Sequence, residues 1–215
     1  MSAQRDRSDR TTTEGKRSES SGSACGGWDS GRCVGTPVCP PRCPRFLDKE
    51  GRRWTLRPAA ENDLEALLEM YDAFGPADRA QGVPPIGARR QREWIELLFE
   101  EGWNVVAEAE DGRLLGHAVY TPMDVPDPEL AVFVHPEYRG RGLGTELCRH
   151  VIATAAERGR ERLVLHVETH NRAAITVYRR LGFVTEAREV DLRMALELNE
   201  PIATDVRRPP AARER

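Results

Sequence analysis

The stretch from Leu130 to Leu147 limits what this chain can become more than any other. Leu-Ala-Val-Phe-Val over 130–134 is a short apolar run with valine and phenylalanine, which predicts a strand. Pro136 breaks the run, and glycines follow at 140, 142 and 144. From Leu143 an apolar pattern of helical period begins, continued by Leu147 and Val151 with Ile152 and Ala155 beside them. Strand, glycine-rich turn and helix in that order place free backbone N–H groups at a helix start, where the peptide dipoles also favour negative charge. Glycine lets a ligand come close to the main chain, and Arg139 and Arg141 add positive charge. Such a turn suits a phosphate or a pyrophosphate.

Two familiar phosphate-binding patterns do not fit. A dinucleotide fingerprint begun at Gly140 needs glycine where Thr145 stands, and one begun at Gly142 needs it at Leu147. A P-loop needs a lysine here, and the stretch has none. What remains is Arg-x-x-Gly-x-Gly: Arg139, Gly142, Gly144. A second stretch, Asn171 to Phe183, reads as a helix capped at Asn171 and stopped at Gly182. Asn171, Ala174, Ile175 and Tyr178 share one face of it. The two stretches, with Val-His-Pro-Glu-Tyr-Arg-Gly leading into the first, resemble the two cofactor motifs of the GNAT superfamily of acyl-CoA-dependent N-acyltransferases, in the family's order and spacing. The resemblance covers roughly Trp54 to Leu198.

Around this centre the pattern runs strand, two helices, three strands, helix, strand, helix, two strands. A strand at Trp54–Arg57 precedes helices whose apolar sides are Leu64, Leu67, Leu68 and Tyr71, then Trp94, Ile95, Leu97 and Leu98. Glu110-Asp111-Gly112 predicts a hairpin between strands at 103–109 and 113–120. The expected fold is α/β, a mixed and mostly antiparallel central sheet flanked by helices, as the resemblance also implies. Residues 1–52 are rich in Ser, Thr, Gly, Arg and Pro and are expected to be a disordered extension, dispensable for activity; residues 53–198 form the acetyltransferase domain and 199–215 a disordered tail. Cys25, Cys33, Cys39 and Cys43 lie in the extension, but without a Cys-x-x-Cys pair or a nearby histidine they do not spell a zinc site. With 32 basic against 35 acidic residues and a net charge of −3, no general basic field is available to hold a nucleic acid. The first residues have no apolar core, so no signal peptide is expected, and no run is long enough to span a bilayer; a cytoplasmic enzyme is expected.

The resemblance implies transfer of an acetyl group from acetyl-CoA to a primary amine of a small molecule or a protein, with no metal. It places the pyrophosphate on Gly140, Arg141, Gly142, Leu143, Gly144 and Thr145 beside Arg139, and the pantetheine arm along Val132, Phe133 and Val134, with Asn171 on its other side. Tyr178 would return a proton to the leaving thiolate. An alkylamine, with a pKa of about 10.4, has to lose a proton before it attacks. Glu129, at the mouth of the cofactor strand, is the first candidate base; Glu168 is second, and Asp124, His117 and His135 follow. The loop with Asp78, Arg79 and Gln81 would form one wall of the acceptor site. Family members often form homodimers, and nothing in the residues decides this. The rival class is an acyl-CoA-binding sensor without catalysis.

Overall fold

At the Asp111-Gly112 turn, Gly112 takes φ 82°. It folds β3 (Trp103–Ala109) and β4 (Leu114–Thr121) into an antiparallel pair. This hairpin lies near the middle of the sheet in the computed structural model, which describes residues 28, 33–79 and 82–212. β4 is buried at every position from Leu114 to Tyr120, so both of its faces are covered. The other strands are β1 (Arg45–Leu47), β2 (Arg53–Pro58), β5 (Glu129–Val134), β6 (Arg162–Glu168), β7 (Val184–Arg188) and β8 (Asp191–Glu197). They stand in the order β1-β2-β3-β4-β5-β6-β8-β7. Among the described residues only β5 and β6 run parallel, because α3 (Leu143–Glu157) crosses back between them.

Side-chain alternation along the strands divides the core in two. Leu130 and Val132 on β5, and Leu163, Leu165 and Val167 on β6, pack with Leu147 and Val151 of α3 and Ile175 and Tyr178 of α4 (Arg172–Arg180). Ala131 and Phe133 face the other way. They pack with Leu67 and Tyr71 of α1 (Leu64–Asp72) and Ile95 of α2 (Ala88–Glu101). The mixed, mostly antiparallel sheet with helices on both faces is the expected one. On α2, however, Leu97 is 46% exposed and Gln91 takes a buried position instead, since the helix turns Ile95 and Leu98 inward.

Both expected boundaries of the domain are corrected. Residues 33–52 are not a disordered lead: β1 pairs with β2 through Arg45↔Thr55, Phe46↔Trp54 and Leu47↔Arg53. Polar anchors hold this segment. Asp48 is 6% exposed and accepts hydrogen bonds from Trp54 Nε1 at 3.0 Å and from the Glu50 and Arg52 amides at 2.9 Å. Arg42 is 4% exposed and forms a two-pronged ion pair with Glu146 at 2.6 and 2.9 Å. Its remaining nitrogen donates to the Val206 carbonyl at 2.6 Å. At the other end, α5 (Pro201–Asp205) follows β8, and Ala203 and Val206 are buried in the main core. The expected tail at 199–215 is thus part of the fold as far as residue 212. Cys25 and Gln81 lie outside the described residues.

Candidate active site

β5 pairs with β4 along its whole length, from Thr121↔Glu129 to Gly116↔Val134. β5 and β6 pair only at Glu129↔Val164, where the Val164 amide also reaches the Pro128 carbonyl at 3.1 Å. The two parallel strands then part, so the β6 side of residues 130–134 has no ladder partner. This wedge opens toward the C-terminal ends of the strands, where the glycine turn begins.

Gly140 and Gly142 adopt φ 76° and 96°, a region that costs other residues about 1–2 kcal/mol. Gly142 in that conformation caps α3. No protein acceptor takes the amides of Gly140 to Thr145 among the described residues, as expected for the end of a helix. A side chain at Gly144 would meet Val134 Cγ2 at 3.3 Å, so the glycine keeps the strand and the helix start close together.

The two arginines of the turn are already engaged. Arg139 forms an ion pair with Asp78 of the α1–α2 loop, donates to the Val134 carbonyl at 3.2 Å and lies over the Phe74 ring. Burial alone would raise the Asp78 pKa, but its bonds to Arg139 and the Gly75 amide hold it below the usual range. Arg141 turns toward the N-terminal segment, with Glu50 at 2.6 Å and the Tyr138 ring 4.8 Å below it. Arg79 closes its own loop by donating to the carbonyls of Phe74, Pro84 and Pro85.

α4 forms the other wall of the main-core face. Asn171 Oδ1 accepts from the Ala174 amide at 3.1 Å and so caps the helix. Tyr178, two turns on, is 8% exposed and packs against Phe183. Burial pushes its phenol well above the ordinary value, so it holds its proton at neutral pH.

The candidate bases separate clearly. His117 is fully buried: Nδ1 lies 2.6 Å from the Tyr71 hydroxyl and Nε2 lies 2.9 Å from Asn104 Oδ1. Desolvation drops its pKa to about 3. It is a core group out of reach of any substrate. His135 accepts from the Glu137 amide at 3.3 Å and caps a short helical turn. Glu168 pairs with His170 at 3.2 Å, and Asp124 is exposed in the β4–β5 loop. Glu129 sits at the base of the wedge. Alternation puts it on the Ala131–Phe133 face, toward α1 and α2, and the same rule puts His166 of β6 on that face. Their side chains meet, His166 Nδ1 to Glu129 Oε1, at 3.1 Å. The sequence reading passed over His166 because it looks like any polar residue alternating along a strand.

A cavity of about 400 Å³ lies on the opposite sheet face, between α4 and the β7–β8 hairpin, lined by Arg172, Arg179 and Arg188 among others. It is not where Glu129 stands.

A wedge between two parallel strands, closed at its mouth by a glycine-capped helix start, defines an enzyme of the acyl-CoA-dependent N-acyltransferase class. Residues 64–183 match the Acetyltransferase (GNAT) family, and the chain belongs to that family. It is 31% identical over 136 residues to the L-methionine sulfoximine/L-methionine sulfone acetyltransferase of Pseudomonas paraeruginosa, covering 60% of this chain and 79% of that protein. It is 28% identical over 139 residues to the L-amino acid N-acyltransferase MnaT of Escherichia coli, covering 62% and 81%. Among solved structures, yncA from Salmonella typhimurium with its cofactor acetyl-CoA superposes with a TM-score of 0.57 at 26% identity, over 68% of this chain and 95% of that one. Among the described residues no helix is long and apolar enough to cross a membrane, and no three or more His, Cys, Asp or Glu side chains are grouped to hold a metal ion.

Proposed function

We propose that this enzyme moves the acetyl group of acetyl-CoA to the primary amine of a small molecule or a protein. The observation that carries the reading is the wedge itself: an unpaired β5 edge beside a helix start whose amides have no protein acceptor among the described residues. That edge, at Val132 to Val134, offers hydrogen bonds to the amide-bearing pantetheine arm, and the Gly140–Thr145 amides suit its pyrophosphate. Asn171 holds the arm from α4. The base centred on Glu129 works on the α1–α2 face, where the acceptor loses its proton, and Tyr178 gives its phenolic proton to the thiolate on the α4 side. The names of the two curated relatives favour an amino acid or a close analogue as the acceptor.

Thiol release from acetyl-CoA, followed with a panel of amino acids, polyamines and peptides, tests the reading. Tyr178→Phe is expected to lower turnover roughly 10²-fold, the scale of a lost general acid, while calorimetry shows acetyl-CoA still bound. Glu129→Gln is expected to lose activity by a factor that shrinks as pH rises, because the amine then needs less help in losing its proton. Tight acetyl-CoA binding with no thiol release for any amine would instead favour the acyl-CoA sensor.

A further inference from the structure

Glu129 does not meet the acceptor side alone. His166 lies two residues beyond Val164, the last point at which β6 touches β5, so its ring stands where the wedge has just opened. The carboxylate of Glu129 can only accept a hydrogen bond, so the 3.1 Å contact requires the proton of His166 to sit on Nδ1. That leaves the Nε2 lone pair as the free basic atom. The two side chains are 37% and 44% exposed, which keeps the pair open to an incoming amine. The surrounding charges are mostly committed elsewhere. Arg193, the register neighbour of His166, pairs with Glu186 and Asp127; Arg162 pairs with Asp127, Glu186 and Glu197; Glu168 pairs with His170. Asp191, opposite Glu168, is the further carboxylate on this face.

We infer that the general base is the Glu129–His166 pair, with Nε2 of His166 taking the proton and Glu129 fixing the ring and its tautomer. This rests on the acetyl-transfer reading above and refines which atom acts. An imidazole suits the task better than a lone carboxylate, since its class titrates between about pH 5 and 8. The amine nitrogen bonds to the thioester carbonyl carbon while its proton passes to Nε2. The C–S bond then breaks, and the sulfur leaves with the proton of Tyr178. The imidazolium loses its proton to solvent and the phenolate regains one, so the enzyme returns to its starting state. An acceptor arriving as an ammonium ion releases one further proton to solvent.

The test compares pH profiles of kcat/KM for the wild type, His166→Gln, Glu129→Gln and the double variant, with acetyl-CoA affinity measured alongside. His166→Gln is expected to lower kcat/KM about 10²-fold and to lose the fall in activity on the acid side of the imidazole range. Acetyl-CoA affinity should stay within about twofold. The double variant should be little worse than His166→Gln, because residues acting as one unit do not add. A His166→Gln profile that keeps the wild-type acid limb, or fully multiplicative losses, would overturn the inference while leaving acetyl transfer intact. A wild type that transfers no acetyl group to any amine would remove both together. Nitrogen-15 NMR of the imidazoles supplies a readout independent of turnover: neutral His166 should carry its proton on Nδ1 and lose that preference in Glu129→Ala. A proton on Nε2 in the wild type would overturn the inference outright.

Discussion

His117 shows what one residue can hide and what it costs. Asn104 spends its amide nitrogen on the Leu98 and Gly102 carbonyls, which leaves Oδ1 to accept from His117 Nε2 and the Tyr71 hydroxyl to donate to Nδ1. The ring is therefore buried neutral, with a pKa near 3 against 6.5 when free. The unfolded chain gains a proton as pH falls below 6.5, whereas the folded chain does not until about 3. Stability should consequently decline with falling pH through that window, by up to about 1.4 kcal/mol per unit from this group alone. Urea midpoints measured from pH 7 to pH 4 should show a shallower decline in His117→Gln than in the wild type, whatever the variant's stability at pH 7. The sequence offered His117 and His135 as candidate bases and was silent on His166. A histidine on an alternating strand looks the same whether it meets a core tyrosine from a helix packed on the sheet or a half-exposed carboxylate on the next strand. Only the tertiary packing tells them apart, and that is not written in any local pattern.

At the scale of one element, α3 shows why some of the site could be read and its support could not. The glycines, the proline and the helical period all lie within a few residues of each other, and Gly142 serves as the cap they implied. The first turn of this helix is also braced from behind. Glu146 is 3% exposed; burial would raise its pKa, but hydrogen bonds and charge from Arg42, helped by His150 and Arg149, hold it below the ordinary carboxylate range. Arg42 lies 104 residues earlier in the chain, in a segment without an apolar face, so periodicity could not pair them. A buried ion pair is best judged by breaking it. Arg42→Met is expected to cost about 3–5 kcal/mol by urea denaturation, because it strands a buried carboxylate. The double variant Arg42→Met, Glu146→Leu should recover most of that loss.

For the molecule as a whole, the segments around residues 42 and 206 meet beside the same helix. Arg42 joins Glu146 to the Val206 carbonyl, and the Ala211 amide donates to the Cys33 carbonyl at 3.0 Å. The expectation that a chain begun near Arg52 keeps its activity is therefore reversed. Removing residues 1–51 takes away β1, the acceptor for Trp54 Nε1 and the partner of Glu146. Thermal melts should report a loss of at least about 3 kcal/mol, with activity falling along with it. The rest of the fold was legible because its strands and helices bury ordinary apolar stripes; the N-terminal segment was not, because Arg42 and Asp48 anchor it, and the C-terminal one offers only Ala203 and Val206 to the core, too few to make a pattern.

The bond between Asp78 and Arg139 carries one last consequence. One guanidinium has two claimants, the carboxylate it holds now and the pyrophosphate it faces on the proposed reading. On that reading, a coenzyme that draws Arg139 away from Asp78 would loosen the α1–α2 loop. Donor arrival and acceptor admission would then share one movement, and the two substrates would bind in a fixed order.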